Sequence, residues 1–137
     1  MAGWSMTPRD LANLLLRKAR EDAHLVRSVG VDPEAADWAV GFHAQQAVEK
    51  ALKAVLTALG VRHGKTHDLD ELLKLVAGTQ VVTPEWAAEA AALNPFGVLL
   101  RYAEIDIDQP LDRAAVIPLV ERIIAWAAER VAELGSP

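Results

Sequence analysis

Gly41-Phe42-His43-Ala44-Gln45-Gln46-Ala47-Val48-Glu49-Lys50-Ala51-Leu52-Lys53-Ala54 decides how this chain is read. Val40, Ala44, Ala47, Ala51, Ala54 and Ala58 recur at steps of three and four, making a narrow face of small side chains that a second helix can approach closely. His43, Gln46, Lys50 and Lys53 follow the same steps beside it. Gln45 and Glu49 flank that row, and Glu49 stands one helical turn before Lys53, the spacing of an ion pair. The plainest reading of the row is the solvated side of a bundle helix. The sharper one is a contact for a partner, a nucleotide or RNA.

Helix punctuation recurs on both sides of this segment. Thr7-Pro8 sets a capping hydroxyl before a proline, whose missing donor costs nothing in a first turn, and predicts a helix from Pro8 to Val29 closed by Gly30. Asp32-Pro33-Glu34 repeats that pattern and predicts a second helix reaching Leu59-Gly60. After a loop over 61–66, Leu69, Leu72, Leu73 and Val76 have the spacing of a short third helix. Thr83-Pro84-Glu85 opens an Ala-rich fourth helix, which Asn94-Pro95 interrupts or kinks and Leu99 to Tyr102 resumes. An acidic excursion over 103–111 precedes a last helix from Asp112 to about Leu134, with Pro118 bending its first turns. The fold class expected is all-α, an antiparallel bundle of four to five helices. One domain over 7–135 follows a flexible tail over 1–6.

Composition narrows the function classes. A chain of 137 residues with 52% hydrophobic and 24% charged residues is long enough for one independent core. Its net charge of −5 supplies no general field for nucleic acid, although a local basic patch still can. No cysteine is present, so disulfides and thiolate chemistry are excluded. Neither a leader pattern nor a membrane-length apolar run is visible, so a cytoplasmic protein with no membrane contact is expected. No spaced His, Asp and Glu set predicts a metal, no Gly-rich loop predicts a phosphate cradle, and no cofactor is expected.

The run from Gln45 to Ala54, followed by His67-Asp68-Leu69 and later by Arg101-Tyr102, resembles the HEPN domain over nearly the whole chain. The most specific part is Gln45-Gln46-Ala47-x-Glu49-Lys50-x-x-Lys53-Ala54. The resemblance implies a helical bundle, commonly a homodimer, often paired with a minimal nucleotidyltransferase protein in a toxin and antitoxin setting. It further implies that catalytic members are metal-independent ribonucleases with an Arg followed after four to six residues by His. Here Arg101 is the arginine, but 106–108 read Asp106-Ile107-Asp108, so the histidine is missing. Tyr102 is a family-motivated acceptor for modification by such a partner.

The candidate site residues follow from both lines of reading. For catalysis they are Arg101, stabilising charge on a scissile phosphate, with His43 or His67 moving a proton. For nucleotide or partner binding they are Gln46, Glu49, Lys50, Lys53 and Tyr102. Each has a plainer alternative: His43 a hydrogen-bonded packing residue, His67 a cap or brace for the third helix, Arg101 a partner of Glu104 or the acidic loop. Arg17 to His24 and Arg62 to His67 also match the bare Arg-to-His spacing, as nine Arg and four His would do by chance, and neither sits where the family motif does. Trp38, Trp86 and Trp126 are expected as core or interface anchors.

Overall fold

The computed structural model describes residues 5–99 and 110–134. Among them there is no strand. The elements are α1 (Pro8–Gly30), α2 (Asp37–Ala58), α3 (Leu69–Ala77), α4 (Ala87–Ala91), α5 (Asn94–Leu99) and α6 (Arg113–Leu134). The three long helices form the body of an all-helical bundle, as expected. Gly30 lies against Ile117 and Arg27 pairs with Glu121, so α6 runs antiparallel to α1. Gly30 also lies against Val40, near the start of α2, which reverses direction after α1.

The small-residue face of α2 performs the packing it was assigned. Val40, Ala44, Ala47, Ala51 and Ala54 are all fully buried, and Ala58 is partly buried at the helix end. Small side chains bring helix axes together, and the larger Leu52, Val55 and Leu56 fill the space beside them. Gly41 has a specific reason to lack a side chain: a Cβ there would enter the ring of Phe96 from α5. Trp86 is buried and meets the half-buried Trp126 of α6 edge to face, with ring centroids 5.2 Å apart, which ties the α4 end to α6.

The caps explain most boundaries. Thr7 and Asp10 form a reciprocal capping box at α1, each side chain bonding the other's backbone N–H at 3.0 Å. The Thr7 backbone N–H, then its hydroxyl, holds the Asp10 carboxyl below its ordinary value. That contribution is present above the ordinary carboxylate range and fades as pH falls through it. Asp68 caps α3 by accepting from Asp70 N, so His67 is not the cap.

Two predicted starts move. Asp32-Pro33-Glu34 does not open α2, which begins at Asp37. Asp32 instead accepts from Glu34 N in an Asx turn, and Arg113 of α6 gathers the carbonyls of Gly30, Asp32 and Ala35 while pairing with Asp37 at 2.8 Å. These bonds hold the connection ahead of Asp37 in its own path. Likewise α4 starts at Ala87, and the break after it falls at Ala92-Leu93. Asn94 then starts a new helix, with Pro95 in the first turn, where a proline loses no bond. Pro118 is accommodated inside α6. Of the predicted resumption over 99–102, only Leu99 is described, as the last residue of α5.

Arg113 is the clasp of the α1–α2 connection. Arg113→Ala removes its ion pair and three carbonyl bonds and is expected to cost about 2 kcal/mol, read as a melting temperature several degrees lower. An unchanged melting temperature would remove that role.

Candidate functional site: the polar edge of helix α2

His43, Lys50, Gln46, Lys53, Glu49 and Gln45 occupy one continuous edge of α2, spanning roughly 160° at ~3.6 residues per turn. They are not a solvated row. Gln45 is fully buried and Glu49 is 4% exposed, while the Lys53 side chain retains 11%. A carboxylate and an amide are costly to bury without partners, so their bonds can be counted one by one.

Glu49 is the hub. Its Oε1 accepts from Gln45 Nε2 at 3.1 Å, its Oε2 accepts from Lys53 Nζ at 3.2 Å, and both oxygens lie 3.1 Å from His67 Nδ1. Gln45 Nε2 donates its second hydrogen to the His67 carbonyl at 3.1 Å, and Gln45 Oε1 accepts from Gln46 Nε2 at 2.7 Å. One amide therefore holds both the carboxylate and the backbone of the residue whose ring the carboxylate holds. Among the described residues the only buried side-chain nitrogen or oxygen without a hydrogen bond is Arg130 Nε, far from this group in the chain.

Neighbouring elements enforce the arrangement. Gly97 of α5 lies against the Gln45 amide, where a Cβ would come within 2.7 Å of Cδ. Asn94, at the start of α5, accepts from Leu69 N and donates to Asp68 Oδ1, both at 2.9 Å. That pair fixes the beginning of α3, and with it the loop that delivers His67. The His67 side chain remains 43% exposed. Its Nδ1 is engaged and its Nε2 has no hydrogen-bond partner among the described residues, so the ring is anchored through one nitrogen.

A second group lies along the same edge toward α1. Asp22, 8% exposed, accepts from Lys50 Nζ at 2.5 Å and contacts His43 Nδ1 at 3.3 Å. Phe42 stacks edge to face with His43, ring centroids 5.4 Å apart. These bonds join α1 to α2, which matches the packing alternative for His43 and gives Lys50 a structural partner. His24 and Arg17 are exposed on α1.

The structure thus brings Gln46, Glu49, Lys53 and His67 into one cluster and sets His43 and Lys50 in its neighbour. Arg101 and Tyr102 lie outside the described residues, as does the segment 106–108. Sequence reasoning treated Gln45 as a flank and passed over Asp22. The signal for Gln45 was its place one turn before Glu49. Asp22 had no sequence signal, because its partners are 21 and 28 positions away. No group of three or more His, Asp or Glu side chains able to hold a metal ion occurs among the described residues. None of their helices is long and apolar enough to cross a membrane.

The hub predicts a specific pattern of stability. Glu49→Leu strands the Lys53 ammonium and is expected to cost on the order of 3–5 kcal/mol, whereas Glu49→Leu with Lys53→Met should be distinctly milder than the single change. Denaturant titration of the single and double variants checks this. Additive losses would mean that the two charges do not depend on each other.

Two kinds of comparison add nothing: no curated protein and no solved structure matches the chain. The family model for the HEPN domain matches residues 12–131, which takes in most of α1 through most of α6, the whole α2 edge and the loop carrying His67. With that match covering most of its length and an all-helical bundle beneath it, the chain belongs to the HEPN domain family.

Proposed function

We propose that this HEPN protein recognises a phosphate-bearing ligand, nucleotide or RNA, at the edge of α2 formed by Gln46, Lys53 and His67. In this reading it acts in the cytoplasm as a homodimer of one domain, residues 7–135, beside a minimal nucleotidyltransferase protein. The two are halves of a toxin and antitoxin pair. The observation that carries the ligand reading is the saturation of Glu49. A carboxylate engaged by Gln45, Lys53 and His67 orients an ammonium and an imidazole ring, and that ring offers a second N–H, at Nε2, when it carries both protons. Such donors suit an anion.

The partner reading rests on the family and on the Arg101 segment, where Asp106-Ile107-Asp108 stand in place of the histidine of catalytic members. A chain lacking that group suits a recognising subunit better than a nuclease. A second reading keeps metal-independent RNA cleavage, because His67 is tethered at Nδ1 and its Nε2 has no partner among the described residues, the posture of a general acid or base.

Three experiments test the readings. Calorimetric titration with nucleoside phosphates is expected to show binding that weakens at least about tenfold in His67→Ala, the worth of one charge-assisted bond. Equal affinity in the variant would contradict the ligand site. Incubation of total RNA in chelator with the wild type, Arg101→Ala, His43→Ala and His67→Ala is expected to show no cleavage by any of them. Cleavage by the wild type that disappears with Arg101→Ala and His67→Ala would replace the proposal by the ribonuclease reading. Co-expression with a minimal nucleotidyltransferase encoded alongside is expected to yield a complex, and failure to capture it would count against the pairing.

A further inference from the structure

Helix α1 carries two apolar stripes where a bundle helix needs one. Ala12, Leu16, Ala19, Ala23 and Val26 are buried in the core. Leu11, Leu14 and Leu25 lie on another side of the helix, roughly 140° around from that stripe at ~3.6 residues per turn. Leu11 and Leu25 are each 39% exposed and Leu14 is half-buried. Leu14 borders an open hollow whose other walls, Met6, Asp10, Asn13 and Arg17, belong to α1 itself or to the residues just ahead of it. Between the leucines stand Lys18 and Glu21, paired with each other at 3.4 Å and both more than half exposed. Positions 11, 14, 18, 21 and 25 follow steps of three and four, the a and d spacing of a two-helix seam, over a rise of roughly 21 Å. Leucines exposed singly are ordinary on a protein surface. A row at this spacing, split by one pair of opposite charges, has a register.

The register selects the occupant. A second copy of α1 laid antiparallel, with the two-fold axis level with the Ala19–Arg20 peptide bond, sets Leu14 against Leu25 and Lys18 against Glu21, and by symmetry each contact occurs twice. Leu11 then faces the exposed Ser28 at either end. Every a position meets a d position, as an antiparallel helix pair requires. The alternatives carry like-charge contacts. A parallel pair sets Lys18 against Lys18 and Glu21 against Glu21, and sliding the antiparallel pair by three residues in either direction sets one of those two side chains against its own copy. The pair of charges at the centre is therefore complementary to itself in one arrangement, and the leucines on both sides of it are covered in that same arrangement.

We infer that the outer seam of α1 is a surface on which a second copy of this chain docks, as an antiparallel two-fold helix pair with Leu14 on Leu25 and Lys18 on Glu21. The inference deepens the homodimer of the proposed function and rests on that reading. It assigns affinity to the leucines, and orientation and register to the two charges.

The test is sedimentation equilibrium of the full chain, wild type beside Lys18→Glu and beside Lys18→Glu with Glu21→Lys. The single change sets carboxylates against Glu21 of the other copy and is expected to weaken association at least about tenfold. Exchanging both charges preserves every cross pair and should bring the affinity back to within about threefold of the wild type. Crosslinking checks the register independently, because the chain has no cysteine of its own. In Leu14→Cys with Leu25→Cys the two thiols of one helix stand roughly 16 Å apart, too far to bridge internally, so oxidation is expected to give a covalent dimer that neither single cysteine change gives. A wild type that stays monomeric would overturn the homodimer reading and this seam with it. A wild-type dimer that is indifferent to Lys18→Glu and stays uncrosslinked in the double cysteine variant would overturn the seam while leaving the homodimer standing. Crosslinking by either single cysteine variant, or an exchange of charges that fails to restore association, would overturn the antiparallel register.

Discussion

A buried carboxylate organises the polar edge of this bundle. Glu49 sits 4% exposed on a helix whose opposite side is alanine and leucine, and its charge is tolerable there only because three donors from two elements converge on it. Gln45 is needed to complete that set, and Gly97 is needed to make room for Gln45. Asn94 holds the start of α3 so that His67 arrives in reach. The short helix α5 supports this group from two positions, Asn94 and Gly97.

The two faces of α2 therefore have separate tasks. The small-residue face sets the distance between long helices, which is a packing matter with no chemistry in it. The polar edge joins α1 to α2 through Asp22, His43 and Lys50, then continues into the Glu49 cluster. A binding group placed on a helix so tightly packed is held more rigidly than one on a loop, and its orientation costs little on binding. Only His67 belongs to a connection, and it is pinned at both its ring and its carbonyl.

Much of the fold was legible in the residues, because periodicity and caps are local. The ends of α1, the end of α2, and α3 with its leucines follow from steps of three and four and from Thr7 and Gly30, while the cap of α3 is Asp68 and not His67. The start of α2 was not legible, since an arginine more than seventy positions away decides it. Asn94-Pro95 was read as a break when it is a beginning, because proline in a first turn and proline after a last turn look alike until the preceding residues are placed. The site was half legible. Glu49 with Lys53 followed from helical spacing, while the tie from Glu49 to His67 joins residues 18 apart, and the burial of the row depends on α5 covering it. An exposed and a buried polar row have the same sequence pattern.

The central claim is that Glu49 fixes His67 at Nδ1 and turns Nε2 toward a phosphate-bearing ligand. Long-range proton–nitrogen correlation of the histidine side chains, recorded before and after adding RNA or a nucleoside phosphate, observes both nitrogens directly. The account predicts that the Nε2 signal of His67 moves on titration while that of His63 stays in place. A His67 signal indifferent to saturating ligand, or a Glu49→Gln variant whose His67 responds as in the wild type, would contradict it.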